Sequence, residues 1–527
     1  MPFSPARNRS WNRPAYVGGG GSSYQLASGH YEAQYMPLLA VFPRPDAETG
    51  TYAGGTINAK NRYAYYDGTN SITQSFAVKV QGGSWPHWFE LITAPAGCSI
   101  GNSLNKDSHG VFTFTPTAAI STASPATVTV RVHGQDGNTL DITWTVATSS
   151  STNDFLFLNA SSGSDAASGA IGSPKQTLGA MWGTTTAGTT FPYRQVYMRG
   201  GSYASVSHSD SGLTGAARLQ SGKKPLVYQS YPGETVTIDW SGGECIVDGS
   251  DFYFGGSPGN QLTITGSSTA ALETHNFWGY TVDRVNFQWI TFSGFIARVA
   301  GVETNSTPIH TSSGTRRNYW GHHGVLETGR VNGDNGNDMG IHCHFCLDKS
   351  VTDWCSFIGA ATNGPTYKDS TSYISMRSSY CERTQNPASD NNYKNFDIIG
   401  QTQADHCEIT YCTGKGGAII INDHGDATND SMWVARCTIY RLEGNTAPGV
   451  YANGGTNMYS VKNVILSKGA ASTANLTSNT GTECNFAWTT TPPGTNPPID
   501  PTTLLLVDNG GGTFRTTYLG VRGAEIA

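Results

Sequence analysis

Cysteine recurs along this chain at a regular interval. Cys355, Cys381 and Cys407 are evenly spaced, Cys437 follows after a slightly longer step, and Asn463 continues at the original interval. A repeat of roughly 20–30 residues with a short β-rich run in each unit is typical of a solenoid. Because side chains alternate along a strand, each cysteine and the aliphatic residue two positions later can face the interior, while their neighbours face outward. The spacing therefore predicts stacked coils with thiols in one inward column.

The length and composition of the chain agree with an elongated β protein. Its 527 residues indicate two or three domains, and 64 glycines with only 13% charged residues argue against long helices. The net charge is −6, so we predict no nucleic-acid surface. Without an apolar span or a secretory signal, we expect no membrane insertion. The ten cysteines, placed as small interior hydrophobes, favour assembly in a reducing cytosol.

Two regions are predicted before the solenoid. Residues 1–60, with many glycines, prolines and aromatic residues but no period, predict an extended arm that docks on a larger particle. Residues 61–148 contain five short β-rich runs separated by turn residues. With Trp85-Pro86, Pro95-Ala96-Gly97 and the run Gly110–Pro116, this stretch resembles Ig-like or cadherin-like modules of bacterial surface and phage proteins. The resemblance implies a small β-sandwich.

Residues 155–488 open with an ordered series of motifs. The series is Phe155–Leu158, Gly163-Ser164-Asp165, Pro174–Leu178 and Tyr231-Pro232-Gly233-Glu234. It resembles the first coils of right-handed parallel β-helix proteins of the pectate-lyase-like superfamily, which implies an all-β fold with a short helix near Leu178. About ten coils would give a rod about 50 Å long. Residues 489–527 then predict a Pro-rich stretch and a C-terminal closing strand.

The cysteine register predicts two outward columns that suit a polysaccharide. The positions before each cysteine (or Asn463) are Trp354, Tyr380, His406, Arg436 and Lys462, and those after are Ser356, Glu382, Glu408, Thr438 and Val464. Stacked carboxylates can share a proton, which predicts Glu382 and Glu408 as catalytic acid and base with His406 as proton shuttle. The aromatic residues would carry sugar rings and the cations would bind anionic groups. The alternative is an ordinary solvated surface.

One residue departs from this register. Arg383 occupies an inward position where the other units have Phe or Ile, so we expect the strand to end early or to bulge there.

Two further segments carry histidines. In the run from Ile341 to Asp348, alternation places His342, His344, Cys346 and Asp348 on one face, where they could contact a glycan, ligate zinc, or form a polar surface. Alternate side chains on a strand are nearly 7 Å apart, which is long for a shared ion. The segment from Arg316 to Gly324, with Trp320 and His322, interrupts the repeat and predicts an inserted loop that binds glycan or forms a subunit interface.

No cofactor is predicted, with one open alternative. The turn Asp423-His424-Gly425-Asp426, followed by Asn429-Asp430, is rich in oxygen ligands and could bind calcium, although such residues also fill turns for backbone reasons.

Together these features resemble bacteriophage tailspikes and related host-surface proteins. The resemblance implies a virion protein, commonly homotrimeric, that is assembled in the host cytoplasm, contacts other virion proteins through its arm, and recognises host polysaccharide, with cleavage left open. Lyases, hydrolases, epimerases and inert adhesins share the β-helix fold, so the fold does not decide the activity. A rigid structural or decoration protein, a non-catalytic adhesin, and a bacterial polysaccharide lyase or hydrolase are the alternatives.

Overall fold

The computed structural model describes most of residues 61–296 and a set of strands elsewhere. The described residues are 24–25, 31–32, 38–43, 51–52, 55–56, 61–81, 87–101, 110–134, 137–182, 193–204, 226–239, 245–248, 252–258, 262–265, 275–280, 285–296, 298–299, and, beyond 300, the strands bounded below with Cys412 and Cys437.

Three parallel sheets make up the larger part of the described chain. The first sheet has 12 strands, in spatial order Phe155–Leu158, Gln195–Met198, Leu226–Ser230, Phe252–Gly255, Val285–Gln288, Tyr319–Gly321, Ser350–Asp353, Ile374–Arg377, Cys407–Thr410, Met432–Ala435, Met458–Val461 and Gly481–Glu483. The second has 11: Gly201–Ala204, Val236–Asp239, Leu262–Thr265, Ile290–Ile296, Val325–Gly329, Ser356–Ala360, Tyr380–Arg383, Thr413–Lys415, Thr438–Arg441, Val464–Ser467 and Phe486–Trp488. The third has 8: Cys245–Asp248, His275–Tyr280, Thr307–Thr311, Ile341–His344, Thr366–Ser372, Lys394–Asp405, Ala418–Asp423 and Val450–Asn453.

The order of these strands along the chain defines a parallel β-helix. The chain passes through the first, second and third sheets in turn and then returns to the first, where each new strand pairs in parallel with the strand of the preceding coil. Adjacent strands are spaced by about 4.8 Å, so the twelve strands of the first sheet give a rod about 50 Å long. The predicted all-β fold built on parallel sheets is therefore confirmed.

The interior of the coils is lined by a column of large side chains. In the first sheet this column contains Val196, Tyr228, Phe254 and Phe287, each no more than 1% exposed. The rings of Tyr228 and Phe254 are 5.9 Å apart, and those of Phe254 and Phe287 are 6.2 Å apart. Because the same position in successive coils is occupied by similar rings, burial of apolar surface continues along the rod axis.

The predicted burial of the cysteines is confirmed, but their arrangement in one column is wrong. Cys381, Cys407, Cys412 and Cys437 are all fully buried and none of them forms a disulfide. Cys381 belongs to the second sheet and Cys407 to the first, so the interval between them does not span one coil.

The true coils follow from the register and are unequal in length. In the second sheet Phe357, Cys381, Gly414, Ile439 and Ile465 occupy successive positions of one column, and the step from Cys381 to Gly414 is the longest of the four. That coil contains the 12-residue strand Lys394–Asp405. The expected irregularity at Arg383 is confirmed by a register shift opposite it, between Ile358 and Ala360.

A β-sandwich precedes the β-helix. Its four-stranded sheet consists of Asn61–Tyr65, Thr139–Ser149, Ala126–His133 and Trp88–Thr93, and its three-stranded sheet of Cys98–Ile100, Val111–Phe114 and Gln74–Ala77. Alternate residues of these strands, with Trp144 and Phe112 the largest, form a fully buried core between the two sheets. Their rings meet edge to face with centroids 4.9 Å apart, a favourable geometry for aromatic pairs.

The sandwich packs lengthwise against the outer face of the first sheet. Tyr63 and Tyr65 of the sandwich share one apolar cluster with Phe155, Phe157 and Tyr197, which the register places on the outer face. A second cluster joins Val227 and Tyr253 of the β-helix to the sandwich core. The two units therefore bury a common apolar interface.

Glutamine side chains from the β-helix satisfy the edge of strand Gln74–Ala77. Ala77 N–H donates to Oε1 of Gln288 at 2.8 Å, and Nε2 of Gln288 donates to the Ala77 carbonyl at 3.3 Å. Gln229 donates to the Ser75 carbonyl at 3.5 Å, and Oε1 of Gln195 accepts from the side-chain Nε2 of Gln74 at 3.5 Å, a contact between two side chains. Edge strands leave unpaired main-chain groups that favour association, and here side-chain amides take the place of a neighbouring strand.

Part of the predicted N-terminal arm belongs to the folded chain. Strand Leu39–Phe42 pairs in an antiparallel manner with Lys79–Gln81, and Phe42 packs against Phe76 and Tyr253 with ring centroids 5.3 and 5.9 Å away. Residues 38–43 therefore fold back on the chain's own β-sandwich and β-helix. This removes them from the surface that the sequence assigned to docking.

The remaining described elements are short. The helix Leu178–Trp182 lies between the first two strands of the β-helix, as predicted, and its first turn is capped by Thr177, whose Oγ1 accepts from Ala180 N–H at 3.0 Å. Antiparallel pairs join Tyr24–Gln25 to Tyr31–Glu32, Thr51–Tyr52 to Gly55–Thr56, Arg298–Val299 to Val302–Glu303, and Leu506–Asp508 to Phe514–Thr516. No helix within the described residues is long and apolar enough to cross a membrane.

Candidate functional site

Glu408 lies at the junction between the first sheet and the sandwich. The residue is 8% exposed, and its carboxylate accepts a hydrogen bond from the Ser375 hydroxyl at 2.6 Å. The guanidinium of Arg377 lies 3.8 Å from the carboxylate and donates to the Val80 carbonyl at 3.3 Å. The carboxylate is thus held between two β-helix side chains beneath a sandwich strand, which is the environment of a structural anchor.

The predicted acid–base pair is therefore wrong in its geometry. Glu382 lies in the second sheet, where its register partners are Ile358 and Lys415, whereas Glu408 lies in the first sheet. The two carboxylates were expected one rung apart on one face because the cysteine interval was taken as one coil. A full coil from Cys381 ends at the second-sheet strand Thr413–Lys415. Cys407 lies on the first-sheet strand just before it, so the residues that follow the two cysteines fall on different sheets.

Glu382 keeps its outward position on the second sheet. Cys381 is fully buried, so alternation places Tyr380 and Glu382 on the opposite, outer face. In the next coil Lys415 occupies the register position of Glu382, and in the following coil Tyr440 occupies it. Glu382, Lys415 and Tyr440 thus hold one register position on successive strands, which are spaced by about 4.8 Å.

The third sheet carries a column of histidines. His310 is paired with His342 on the neighbouring parallel strand, and Trp278 precedes His310 in the same column. His344 lies two positions beyond His342 and is followed in its own column by Lys368. Phe396 identifies the inner side of the third sheet, because it is fully buried. Its neighbour Asp397 occupies the register position of His342 two coils later. His310 and His342 therefore hold one register position on neighbouring strands, and His344 lies two positions further along the second of them.

Trp320 does not belong to an inserted loop. Tyr319–Gly321 is a strand of the first sheet, and Trp320 occupies the column of Phe287 and Thr352, both of which are buried in the coil interior. The predicted inserted loop is therefore a strand of the first sheet, and the predicted glycan contact of Trp320 stays a prediction. The segment departs from the cysteine interval because coil lengths vary.

Several predicted residues lie outside the described residues. These are Trp354, His406, Arg436, Lys462, His322, Cys346 and Asp348, together with the proposed calcium turn beyond Asp423. Their roles remain predictions. Among the side chains that the structure describes, no group of three or more His, Cys, Asp or Glu residues is placed to hold a metal ion.

Charged groups in the first coils support the framework. The carboxylate of Glu234 accepts from Nε of Arg199 at 2.7 and 2.9 Å, and the guanidinium of Arg199 covers the Tyr231 ring at 4.4 Å. Burial acts to raise the pKa of Glu234, but the hydrogen bonds from Arg199 and from Gly200 N–H outweigh it and hold this pKa below its ordinary value.

Asp165 fixes a turn in the same region. Its carboxylate accepts from the N–H groups of Gln176 and Thr177 at 3.0 and 2.9 Å and from the Thr177 hydroxyl at 2.8 Å. Burial acts to raise the pKa of Asp165, but these hydrogen bonds lower it further than burial raises it. Asp165 thereby orders the residues immediately before the helix Leu178–Trp182.

A constant repeat length does not align His310, Lys415 and Tyr440 with their neighbours in the sheets. The step from His310 to His342 and the step from Glu382 to Lys415 are both longer than the cysteine interval, so neither pair fits a constant repeat. These positions could be found by aligning the three short β-rich runs of each coil, one for each sheet, and allowing the coils to differ in length.

Comparison with known proteins gives only remote similarities. No protein-family model and no curated protein matches the sequence. Among solved structures, a rhamnogalacturonan lyase is similar at 10% identity and TM-score 0.43, over 70% of this chain and 96% of that one. A pectate lyase is similar at 15% identity and TM-score 0.42, over 70% and 88%. A family 28 exopolygalacturonase from Yersinia enterocolitica is similar at 9% identity and TM-score 0.28, over 72% and 86%. The assignment of the parallel β-helix rests on the strand pairing.

Proposed function

We propose that this chain is a polysaccharide-recognising protein of a bacteriophage virion and that the outer face of the second sheet binds the glycan. The observation that carries the proposal is the column of Glu382, Lys415 and Tyr440, with Tyr380 beside it. A lysine pairs with uronate or sulfate groups, and aromatic rings provide apolar faces for sugar rings. The β-helix supplies a rigid, linear array of such positions, which suits an extended polymer.

The separation of Glu382 from Glu408 favours recognition over hydrolysis by a carboxylate pair. Glycoside hydrolysis commonly uses two carboxyl groups about 5–9.5 Å apart. Glu408 is instead committed to Ser375 and Arg377 beneath the sandwich. A non-catalytic adhesin is therefore the second candidate supported by an observation, and it uses the same surface.

The virion location is part of the proposal and rests on the sequence resemblance. Because residues 38–43 pack on the chain itself, docking to other virion proteins is assigned to the residues before 38. A homotrimer is likewise implied by the resemblance to tailspikes. Immunogold labelling of purified phage particles tests the location, and a chain lacking residues 1–37 is expected to remain folded but not to join particles.

Binding to polysaccharides with and without uronate groups tests the glycan site. Lys415→Gln is expected to weaken binding to an acidic polysaccharide about tenfold, the equivalent of one charge-assisted hydrogen bond. Glu382→Gln should strengthen binding slightly or leave it unchanged unless the residue acts in cleavage. Thr263→Ala, on the same sheet but five coils before Lys415, is the matched control.

Cleavage is measured on the same samples. A rise in reducing ends reports hydrolysis, and ultraviolet absorbance of an unsaturated uronate reports lysis. If the wild-type protein forms product and Glu382→Gln binds equally well but forms none, the protein is an enzyme that uses Glu382. If the wild-type protein binds the polysaccharide and forms no product, it is an adhesin. Equal affinity of wild type and Lys415→Gln for the acidic polymer would remove the second sheet as the glycan site.

A further inference from the structure

We propose that the outer face of the sandwich, at its edge strand Trp88–Thr93, is a second glycan site that binds uncharged sugar chains. This site does not depend on the proposed glycan surface, which lies on the second sheet of the β-helix. Strand Trp88–Thr93 is the last of the four-stranded sheet, and the first is Asn61–Tyr65, which carries the tyrosines packed on the β-helix. The site therefore lies at the edge of the sheet opposite the β-helix.

The centre of the site is a stacked pair of rings. Trp88 and His133 hold the same register position on neighbouring strands, and their rings are parallel to within 1° with centroids 4.8 Å apart. This separation matches the spacing of adjacent strands, so the rings stand side by side on the sheet. His133 lies against one face of the partly exposed indole, and the other face is directed past the edge of the sheet. The apolar C–H groups of a sugar ring can pack on such an aromatic face.

An exposed aliphatic side chain extends this surface along the same strand. Ile92, 42% exposed, is the one large apolar residue that lies in solvent within the described part of the chain. It is the extra residue of a β-bulge, because the register with Ala126–His133 shifts between Leu91 and Thr93. A bulge re-aims its extra side chain. Since Ile92 is not part of the sandwich core, it offers an apolar contact to a ligand.

Polar groups beside the rings are held in place by one another. Nε2 of His133 and Oε2 of Glu90 are 3.0 Å apart. The guanidinium of Arg131 donates to both oxygens of Asp141, at 2.7 and 2.8 Å. The side chains of Glu90 and Asp141 are nevertheless 54% and 45% exposed. Because these groups already have fixed partners, a ligand would order few side chains on binding, which lowers the entropic cost of association.

The charges of this face decide the class of sugar. Glu90 and Asp141 supply two carboxylates against the single guanidinium of Arg131, which already binds Asp141. Exposed carboxylate oxygens accept hydrogen bonds from sugar hydroxyls, and such charge-assisted bonds are stronger than neutral ones. The same oxygens repel uronate and sulfate groups. The face therefore suits uncharged sugar chains, whereas the contact proposed for Lys415 on the second sheet suits acidic ones.

An array of uncharged and uronate-containing oligosaccharides, probed with the labelled full-length protein, tests the site. The wild-type protein is expected to bind uncharged sugars. Trp88→Ala should weaken this binding about tenfold because the stacking surface is lost, and Lys415→Gln should leave it unchanged. Tyr66→Ala is the matched control. Its partly exposed ring, whose hydroxyl donates to the Gly68 carbonyl at 3.3 Å, follows the strand at the opposite edge of the same sheet, so this variant should bind as wild type.

Two exposed positions keep the test decisive if Trp88→Ala does not fold. Glu90→Ala should weaken binding of the uncharged sugars about tenfold, and Ile92→Ser about threefold. Melting curves establish that each variant is folded. Absence of wild-type binding to every uncharged sugar, or wild-type affinity in folded Glu90→Ala and Ile92→Ser proteins, would each overturn the proposal. Loss of the uncharged sugars in Lys415→Gln but not in Trp88→Ala would also overturn it and assign them to the second sheet.

Discussion

Replacing Gln288 with methionine removes the two hydrogen bonds that this β-helix side chain makes to the main chain of Ala77 in the sandwich. Gln288 is fully buried and serves both the N–H and the carbonyl of Ala77. Methionine has a similar length, so the change deletes polar atoms without opening a large cavity. Two buried main-chain groups then lose partners at about 1–3 kcal/mol each. Since the 3.3 Å bond is the weaker, we expect a total loss of about 2–4 kcal/mol.

Two measurements on the full-length protein test this reasoning. Urea unfolding gives the change in free energy, provided that the sandwich and β-helix unfold together. Hydrogen exchange of the peptide that contains Ala77 gives the local effect, because its amide should lose protection when Gln288 Oε1 is removed. Thr129→Val, which removes the 3.1 Å contact with Thr143 on the outer face of the sandwich, is the control and should cost less than about 1 kcal/mol.

The outcome that refutes the argument is specific. If Gln288→Met unfolds at the wild-type urea midpoint and the Ala77 amide keeps its protection, the glutamine does not serve as the edge partner of this strand. If the midpoint falls and the sandwich and β-helix then unfold in two separate steps, Gln288 mainly holds the two units together and contributes less to the stability of each unit alone.

Three further substitutions have expected outcomes. Glu408→Ala should lower the free energy of unfolding by about 1–3 kcal/mol in thermal unfolding. The buried Arg377 and the Ser375 hydroxyl then lose this acceptor. Asp165→Asn should make the free energy of unfolding depend less on acid pH. Burial raises the Asp165 pKa, but its hydrogen bonds lower this pKa more, so the ionised carboxylate stabilises the fold above about pH 4 and this stabilisation is lost as pH falls. Gly255→Ala should cost about 3 kcal/mol or more in urea unfolding, because a methyl group there would overlap the Gln288 carbonyl.

Each has a control and a contrary result. Glu382→Gln should leave the melting temperature unchanged, so equal losses in Glu382→Gln and Glu408→Ala would contradict the structural role of Glu408. For Asp165, an unchanged slope of stability against pH below pH 4 in the asparagine variant would show that the turn does not depend on the carboxylate. Gly172→Ala, where a methyl group meets nothing within 4 Å, should be neutral or slightly stabilising, and a similar loss there would point to a general glycine effect.

The sequence determined the strands, their alternation and the burial of the thiols. Periodicity of two within short apolar runs depends only on local side-chain pattern, so the inward positions of Cys381, Cys407 and Ile409 followed from the residues alone. The motif series from Phe155 to Glu234 likewise predicted the β-helix, through its resemblance to the first coils of known parallel β-helix proteins. Both kinds of signal require no knowledge of which strand is the neighbour.

Only the tertiary structure decided which residues lie next to each other. Unequal coil lengths shift the register between sheets, so Glu382 meets Lys415 and not Glu408, and His342 meets His310. The packing of the sandwich on the first sheet was also invisible in the sequence, because an outward polar residue has the same local pattern whether water or another domain covers it. Glu408 was predicted as a catalytic residue on an open outward column for that reason. It is buried instead, beneath a sandwich strand that contains Val80 and lies far earlier in the chain.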